Sequence, residues 1–188
     1  MPVIRRIVIA VAVLSGLAVV VPIALFGIYD LVSFQPRRAN IRSLGMQSPL
    51  PATLIALMRK DYEENGYSHI TARILIDRLP IEWNRKQPMS WQATFTTWTL
   101  LARLHLDEHE QFALIAANSY MGHERFGFAT EAIARFGKPL ASLNDEELAT
   151  LVVLPHSPSM FQEETELLQI RRDRLMEKTQ GNRGPIPK

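Results

Sequence analysis

Between Arg6 and Asp30 the chain carries no charged side chain, and this run limits what its N-terminus can become. Residues 7–29 are rich in Val, Ile, Ala and Leu. As a helix the run measures about 34 Å at about 1.5 Å per residue, enough to cross a hydrocarbon core. A helix pairs its own backbone groups, which an open strand in lipid does not. Pro22 falls inside the run, and membrane helices accommodate a proline. A cleaved signal peptide would carry a shorter apolar region followed by a small-residue cleavage site, and neither feature is present. The expectation is a single uncleaved membrane-spanning helix.

The flanking charges do not orient it. Arg5 and Arg6 precede the run, while Arg37, Arg38 and Arg42 follow it with only Asp30 to offset them. The positive-inside count is therefore nearly balanced. Residues 30–49, with scattered Pro, Arg, Gln and Gly, are expected to be a linker whose arginines flank the membrane.

From Pro51 onward the apolar pattern is helical. Pro51 suits a first helical position, and Leu54, Ile55, Leu57 and Met58 form a stripe that gives way to a charged end at Lys60, Asp61, Glu63 and Glu64. Asn65-Gly66 stops it. A second helix is expected over residues 69–79 and a loop over 81–88. Ser90 is placed as the cap of a third over 91–104, burying Phe95, Trp98, Leu101 and Ala102. Asp107 with Glu110, and Asn144 with Glu147, have the spacing of capping boxes. The first opens a helix through Ala117 that buries Phe112, Ile115 and Ala116. The second opens one that buries Leu148, Leu151 and Val152 and ends before Pro155. Between them a helix over 128–136 is expected to bury Phe128, Ala132, Ile133 and Phe136, with Gly137 as its left-handed stop. A last helix is placed over 163–178, acidic at its start and basic later. Residues 181–188 are read as a flexible tail. No alternating strand pattern of useful length occurs, so the fold class is all-α.

A net charge of +2, with no basic run interleaved by aromatics, is too small to argue for nucleic acid, and no nucleic-acid partner is expected. Without cysteine there is no disulfide framework, no thiolate metal site and no thiol nucleophile. No cofactor is expected. His105 and His109 are spaced i,i+4, but Asp107 as an N-cap puts His105 outside the following helix, and no metal site is expected. The serines lack a G-x-S-x-G context.

In residues 122–161 the order F-G-F-A-T-E-A-I-A-R-F-G-K, then L-x-x-E-x-L-A-x-L, then L-P-x-S-P-S resembles the C-terminal half of the peptidoglycan glycosyltransferases of family 51. Those are the lysozyme-like transglycosylase domains of penicillin-binding proteins and monofunctional transglycosylases. Their pattern runs roughly f-G-x-x-A-A-x-x-Y-F-G-K, L-x-x-E-x-A-x-L-A, then a Pro-containing turn. Arg171-Arg172-x-x-Leu175-Met176 is similar to their closing R-R-x-x-V-L. The resemblance implies a lysozyme-like helical domain over residues 50–180 in the cell envelope. It also implies a cytoplasmic segment 1–6, an anchor in the inner (cytoplasmic) membrane, and the domain on the periplasmic or extracellular side.

The family's chemistry resides in its other half. Its general base is the Glu of E-D-x-x-F-x-x-H-x-G, which deprotonates the acceptor hydroxyl. Placing that motif's Gly on Gly66 puts Leu57 and Met58 at E-D, while placing its Asp on Asp61 puts Lys60 at the base. The Gln-rich G-x-S-T-x-T-Q-Q segment has no counterpart between Gly66 and Trp91. The R-K-x-x-E motif falls on Trp91-Gln92 and Phe95, and the Glu, Tyr and Asn of K-x-x-I-L-E-x-Y-L-N fall on Ala113, Ile115 and Ala117. The expectation is therefore a non-catalytic transglycosylase-like protein that binds an envelope protein partner, or peptidoglycan or its lipid-linked precursor. Binding candidates are Trp83, Glu124, Arg125 and Lys138. The alternatives are an active glycosyltransferase with Asp61, Glu63 or Glu64 as base, and a structural subunit of an envelope or secretion complex.

Overall fold

The computed structural model describes residues 2–46, 48–62, 66–81, 88–161 and 165–180. It divides into two units, Met1–Ala39 and Asn40–Lys188. In the first, helix α1 (Pro2–Tyr29) carries the uncharged run and continues through Pro22. Leu14, Leu17, Val20, Ile23, Leu25 and Ile28 all stand exposed on it. A helix that is apolar all round needs an apolar surrounding. The helical run Val13–Leu44 is long and apolar enough to cross a membrane.

The stretch read as a linker is helical as far as Leu44. After α1 comes a π-turn over Asp30–Phe34, where the Gln35 N–H donates to the Asp30 carbonyl. The Gln35 amide also donates to the Asp30 carboxylate, at 3.2 Å. A 3₁₀ turn, Gln35–Arg37, takes Pro36 in its first turn, where the missing N–H has no partner to lose. Helix α2 (Arg38–Leu44) follows.

Among its described residues the regular structure of the second unit is helical apart from one small hairpin. Its elements are α3 (Ala52–Tyr62), α4 (Tyr67–Arg78), α5 (Pro88–His105), α6 (Glu108–Asn118), strands β1 (Tyr120–Gly122) and β2 (Arg125–Phe126), α7 (Phe128–Phe136), α8 (Asp145–Val153) and α9 (Glu166–Gln180). Its core is built from Leu54, Leu57 and Met58 of α3, Phe112 and Ile115 of α6, and Phe128 of α7. Leu148, Leu151 and Val152 of α8 and Leu168 and Leu175 of α9 complete it. α4 and α5 pack together beside it, with Trp98, Leu101 and Ala102 fully buried as their spacing predicts and Phe95, expected with them, only partly buried.

Both predicted capping boxes form. The Asp107 carboxylate accepts from the Glu110 N–H at 2.8 Å and Glu110 accepts from the Asp107 N–H at 3.1 Å. The Asn144–Glu147 pair does the same at 2.9 Å in each direction. Gly137 takes φ 65° at the end of α7. Other expectations are corrected. Ser90 lies within α5, which begins at Pro88 because proline fits a first helical turn. The last helix starts at Glu166, where the Thr165 hydroxyl accepts the Leu168 N–H at 3.2 Å as its cap. Ile133, expected in the core, is 56% exposed, Phe136 is only partly buried against it, and Glu131 is buried instead.

A short hairpin leads into α7. Tyr120 pairs with Phe126 and Gly122 with Arg125. The two residues between, His123 and Glu124, have φ of 49° and 59°, the left-handed pair that a two-residue turn of right-handed twist demands. Gly127 then brings the chain against the end of α6. Its φ is +85°, and a Cβ there would stand 2.7 Å from the Ala117 carbonyl oxygen. Only glycine fits.

Candidate functional site

The last turn of α3 carries the first candidate position. Leu57 and Met58, one of the two placements of the family's Glu-Asp pair, are 2% and 0% exposed and belong to the core. Lys60 and Asp61, the other placement, point into a cavity of about 180 Å³. There the Asp61 carboxylate meets His156 Nε2 at 2.5 Å. His156 sits on the 3₁₀ turn Leu154–His156 that follows α8, and nothing in the sequence near it signals the pairing. The remaining wall is basic: Arg171, Arg174 and Lys178 of α9, with Val153 and Leu175 beneath. Tyr62 is buried next to this pair, its ring 6.0 Å from that of His156. Burial, and after it the Asp61 charge, hold its phenol well above the ordinary value, so it remains protonated. Glu63, Glu64 and Trp83 lie outside the described residues.

The second position, Phe95, is an aromatic stack. Its ring centroid lies 5.8 Å from that of His69, at an interplanar angle of 20°, and 5.8 Å from that of Trp91, at 24°. Ala113, Ile115 and Ala117 follow on α6, with Ile115 fully buried. His105 ends α5 and His109 belongs to α6, so the two do not share a helix face.

Among the binding candidates, Glu124 is exposed at the tip of the hairpin, while Arg125 turns inward. The Arg125 Nε donates to Glu131 at 2.6 Å, and the Arg135 Nε donates to the other carboxylate oxygen at 3.0 Å. Arg135 also donates to the Phe161 carbonyl at 2.7 Å, so one buried carboxylate ties the hairpin, α7 and the exit from α8 together. Lys138 donates to Glu147 at 2.6 Å. Arg125 and Lys138 are not brought together by the fold into one cleft; each serves a separate ion pair. A second cavity, of about 590 Å³, opens between α4 and the hairpin. Ile70, Ile74, Tyr120 and Phe126 line it, and the Arg78 guanidinium lies 4.7 Å from the Phe126 ring centroid.

A family model described as Transglycosylase matches residues 56–180, more than half of the chain. The chain belongs to the transglycosylase family. A search of the curated proteins finds no match.

As a transglycosylase-family chain it departs from its pattern in a correlated way. Counted back from Phe136-Gly137-Lys138, Glu131 stands at the first of the paired alanines and Arg135 at the tyrosine. The two departures form one ion pair. Arg125 is a second partner of the same carboxylate, and a buried charge with no partner is costly. The transglycosylase frame here is held by a polar clasp where its pattern expects small and aromatic packing.

Proposed function

We propose that this transglycosylase-family chain has lost glycosyl transfer and works in the cell envelope by binding a protein partner, or a glycan or lipid-linked precursor. Residues 7–29 anchor it in the inner membrane with residues 1–6 cytoplasmic, and residues 50–180 form the domain on the far side. The observation that carries the reading is the character of the two expected catalytic positions. A base must lie within hydrogen-bond reach of the acceptor hydroxyl. Leu57 and Met58 are sealed in the core, Lys60 is a cation, and Phe95 is locked in an aromatic stack.

One observation favours the rival reading of an active polymerase. Of the three candidate carboxylates, Asp61 is the one among the described residues, and it faces a cavity with a histidine against it. A single assay separates the two. Full-length protein in detergent, incubated with lipid-linked disaccharide, is expected to make no polymer. Polymer that disappears with Asp61→Asn, Glu63→Gln or Glu64→Gln would overturn the proposal and name the base.

A further inference from the structure

We propose that the cavity between α4 and the hairpin docks a proline-containing segment of a partner protein in the polyproline II conformation. Much of its apolar lining consists of rings. Tyr120 of β1 and Phe126 of β2 are cross-strand partners whose ring centroids lie 5.2 Å apart at 51°. They are 43% and 45% exposed, and adjacent exposed aromatics with a polar rim mark a contact surface. The Arg78 guanidinium lies over the Phe126 ring and extends this platform toward α4. Pro155 and Pro158, from the exit of α8, add two more rings to the lining.

The polar groups of the cavity are open to a ligand. Arg73 and Asp77 line it from exposed positions of α4, one turn apart, in the cation-first order that favours a helical pair least. Among the described residues neither makes an ion pair or a hydrogen bond, with the other or with a third group. Asn118 gives its amide nitrogen to the Leu44 and Leu114 carbonyls, at 2.9 Å each, which leaves its oxygen as an acceptor. A polyproline II peptide makes no internal hydrogen bonds, so its carbonyls are free to accept from Arg73 and a basic side chain on it can meet Asp77. Its rings pack on aromatic faces, and its conformation is set before binding, so little ordering entropy is lost. At about 590 Å³ the cavity takes a few residues, and not the two turns that a helix laid in a groove presents. These contacts are pairwise and need no net charge on either side. The proposal rests on the protein-binding half of the function proposed above and not on the loss of glycosyl transfer.

The test uses the full chain in phosphatidylcholine nanodiscs, titrated against a fluorescein-labelled oligoproline peptide with one internal arginine and read by anisotropy. Saturable binding is expected, and Tyr120→Ala should weaken it by about tenfold, the scale of losing one aromatic contact. Arg73→Gln, at an exposed position that the fold does not need, should weaken it by about fivefold through the lost bond to the peptide carbonyl. Glu146→Gln, exposed on α8 and outside the cavity, should leave the affinity within about twofold, as for a distant surface charge. Circular dichroism of each variant checks that the fold is intact. A peptide of the same length with alanine in place of proline should bind more weakly than the oligoproline. Equal affinity for the two peptides, or equal affinity of the parent and both cavity variants, would overturn the site, and so would the absence of saturable binding. Displacement of the probe by an oligomer of N-acetylglucosamine at lower concentration than unlabelled peptide would also overturn it, in favour of a glycan. The polymer assay reads out separately: a chain that makes no polymer and binds no oligoproline loses this site and keeps the non-catalytic reading, and one that does both has the reverse outcome.

Discussion

Glu131 shows how much one residue can organise here. Its carboxylate is fully buried and accepts from two arginines, one from the hairpin and one from its own helix. Neutralising it leaves Arg125 and Arg135 facing each other without the charge that reconciles them. Glu131→Gln keeps the volume and removes the charge, and it is expected to cost about 3 kcal/mol, read from the urea midpoint at neutral pH. Glu146→Gln, exposed on α8, is the comparison and should stay within about 0.5 kcal/mol. A loss at position 131 no larger than at 146 would mean the pair contributes nothing beyond geometry. Hydrophobic spacing could not find this residue. Phe128, Ala132, Ile133 and Phe136 fit a helical stripe, and Glu131 and Arg135 look like an ordinary surface pair at i,i+4. The face is turned by partners far along the chain, the Phe161 carbonyl among them, and periodicity carries no information about those. His156 was hidden for the same reason, since its partner Asp61 is 95 residues away.

At the scale of elements, what depends on three or four neighbouring residues was legible and what depends on distant ones was not. The caps at Asp107 and Asn144 and the stop at Gly137 follow from local chemistry, and each forms where expected. The tie between α3 and α6 does not. Arg59 donates through Nε to Glu108 at 3.0 Å and through Nη2 to its other oxygen, across 49 positions of sequence. The bond from Arg59 holds the Glu108 carboxyl below its ordinary 4.5, and the same bond raises the Arg59 guanidinium. Because the folded value is depressed, the pair stabilises the protein above the ordinary carboxyl value and loses that contribution as pH falls through the lower one. Both side chains are partly exposed, which limits the gain to about 0.5 kcal/mol. Glu108→Gln should therefore unfold more easily than the parent at pH 7, and the two should converge at pH values below the depressed one. Parallel urea titrations at several pH values check this. A difference that persists unchanged into acid would show that Glu108 acts through packing and not through charge. Lys138 lowers Glu147 in the same direction, so both ties weaken on the acid side.

For the whole molecule the question is whether α1 serves the membrane or the fold. The uncharged run holds fourteen Val, Ile, Leu or Phe side chains. At roughly −0.3 to −0.6 kcal/mol each for residues near a helix centre, they favour insertion by roughly 4 to 8 kcal/mol, with no charged residue to oppose it. The core of the second unit draws instead on side chains from Leu50 to Leu175. Anchor and core are therefore written in separate stretches of sequence, which is why both could be read from it while the clasp at Glu131 could not. A chain starting at Asp30 is expected to move from the detergent phase to the aqueous phase on partition. It should keep its helical circular dichroism and a single cooperative thermal transition. If that chain instead remained with detergent or lost its cooperative transition, the apolar helix would be part of the folding unit, and single-pass anchoring would no longer account for its composition.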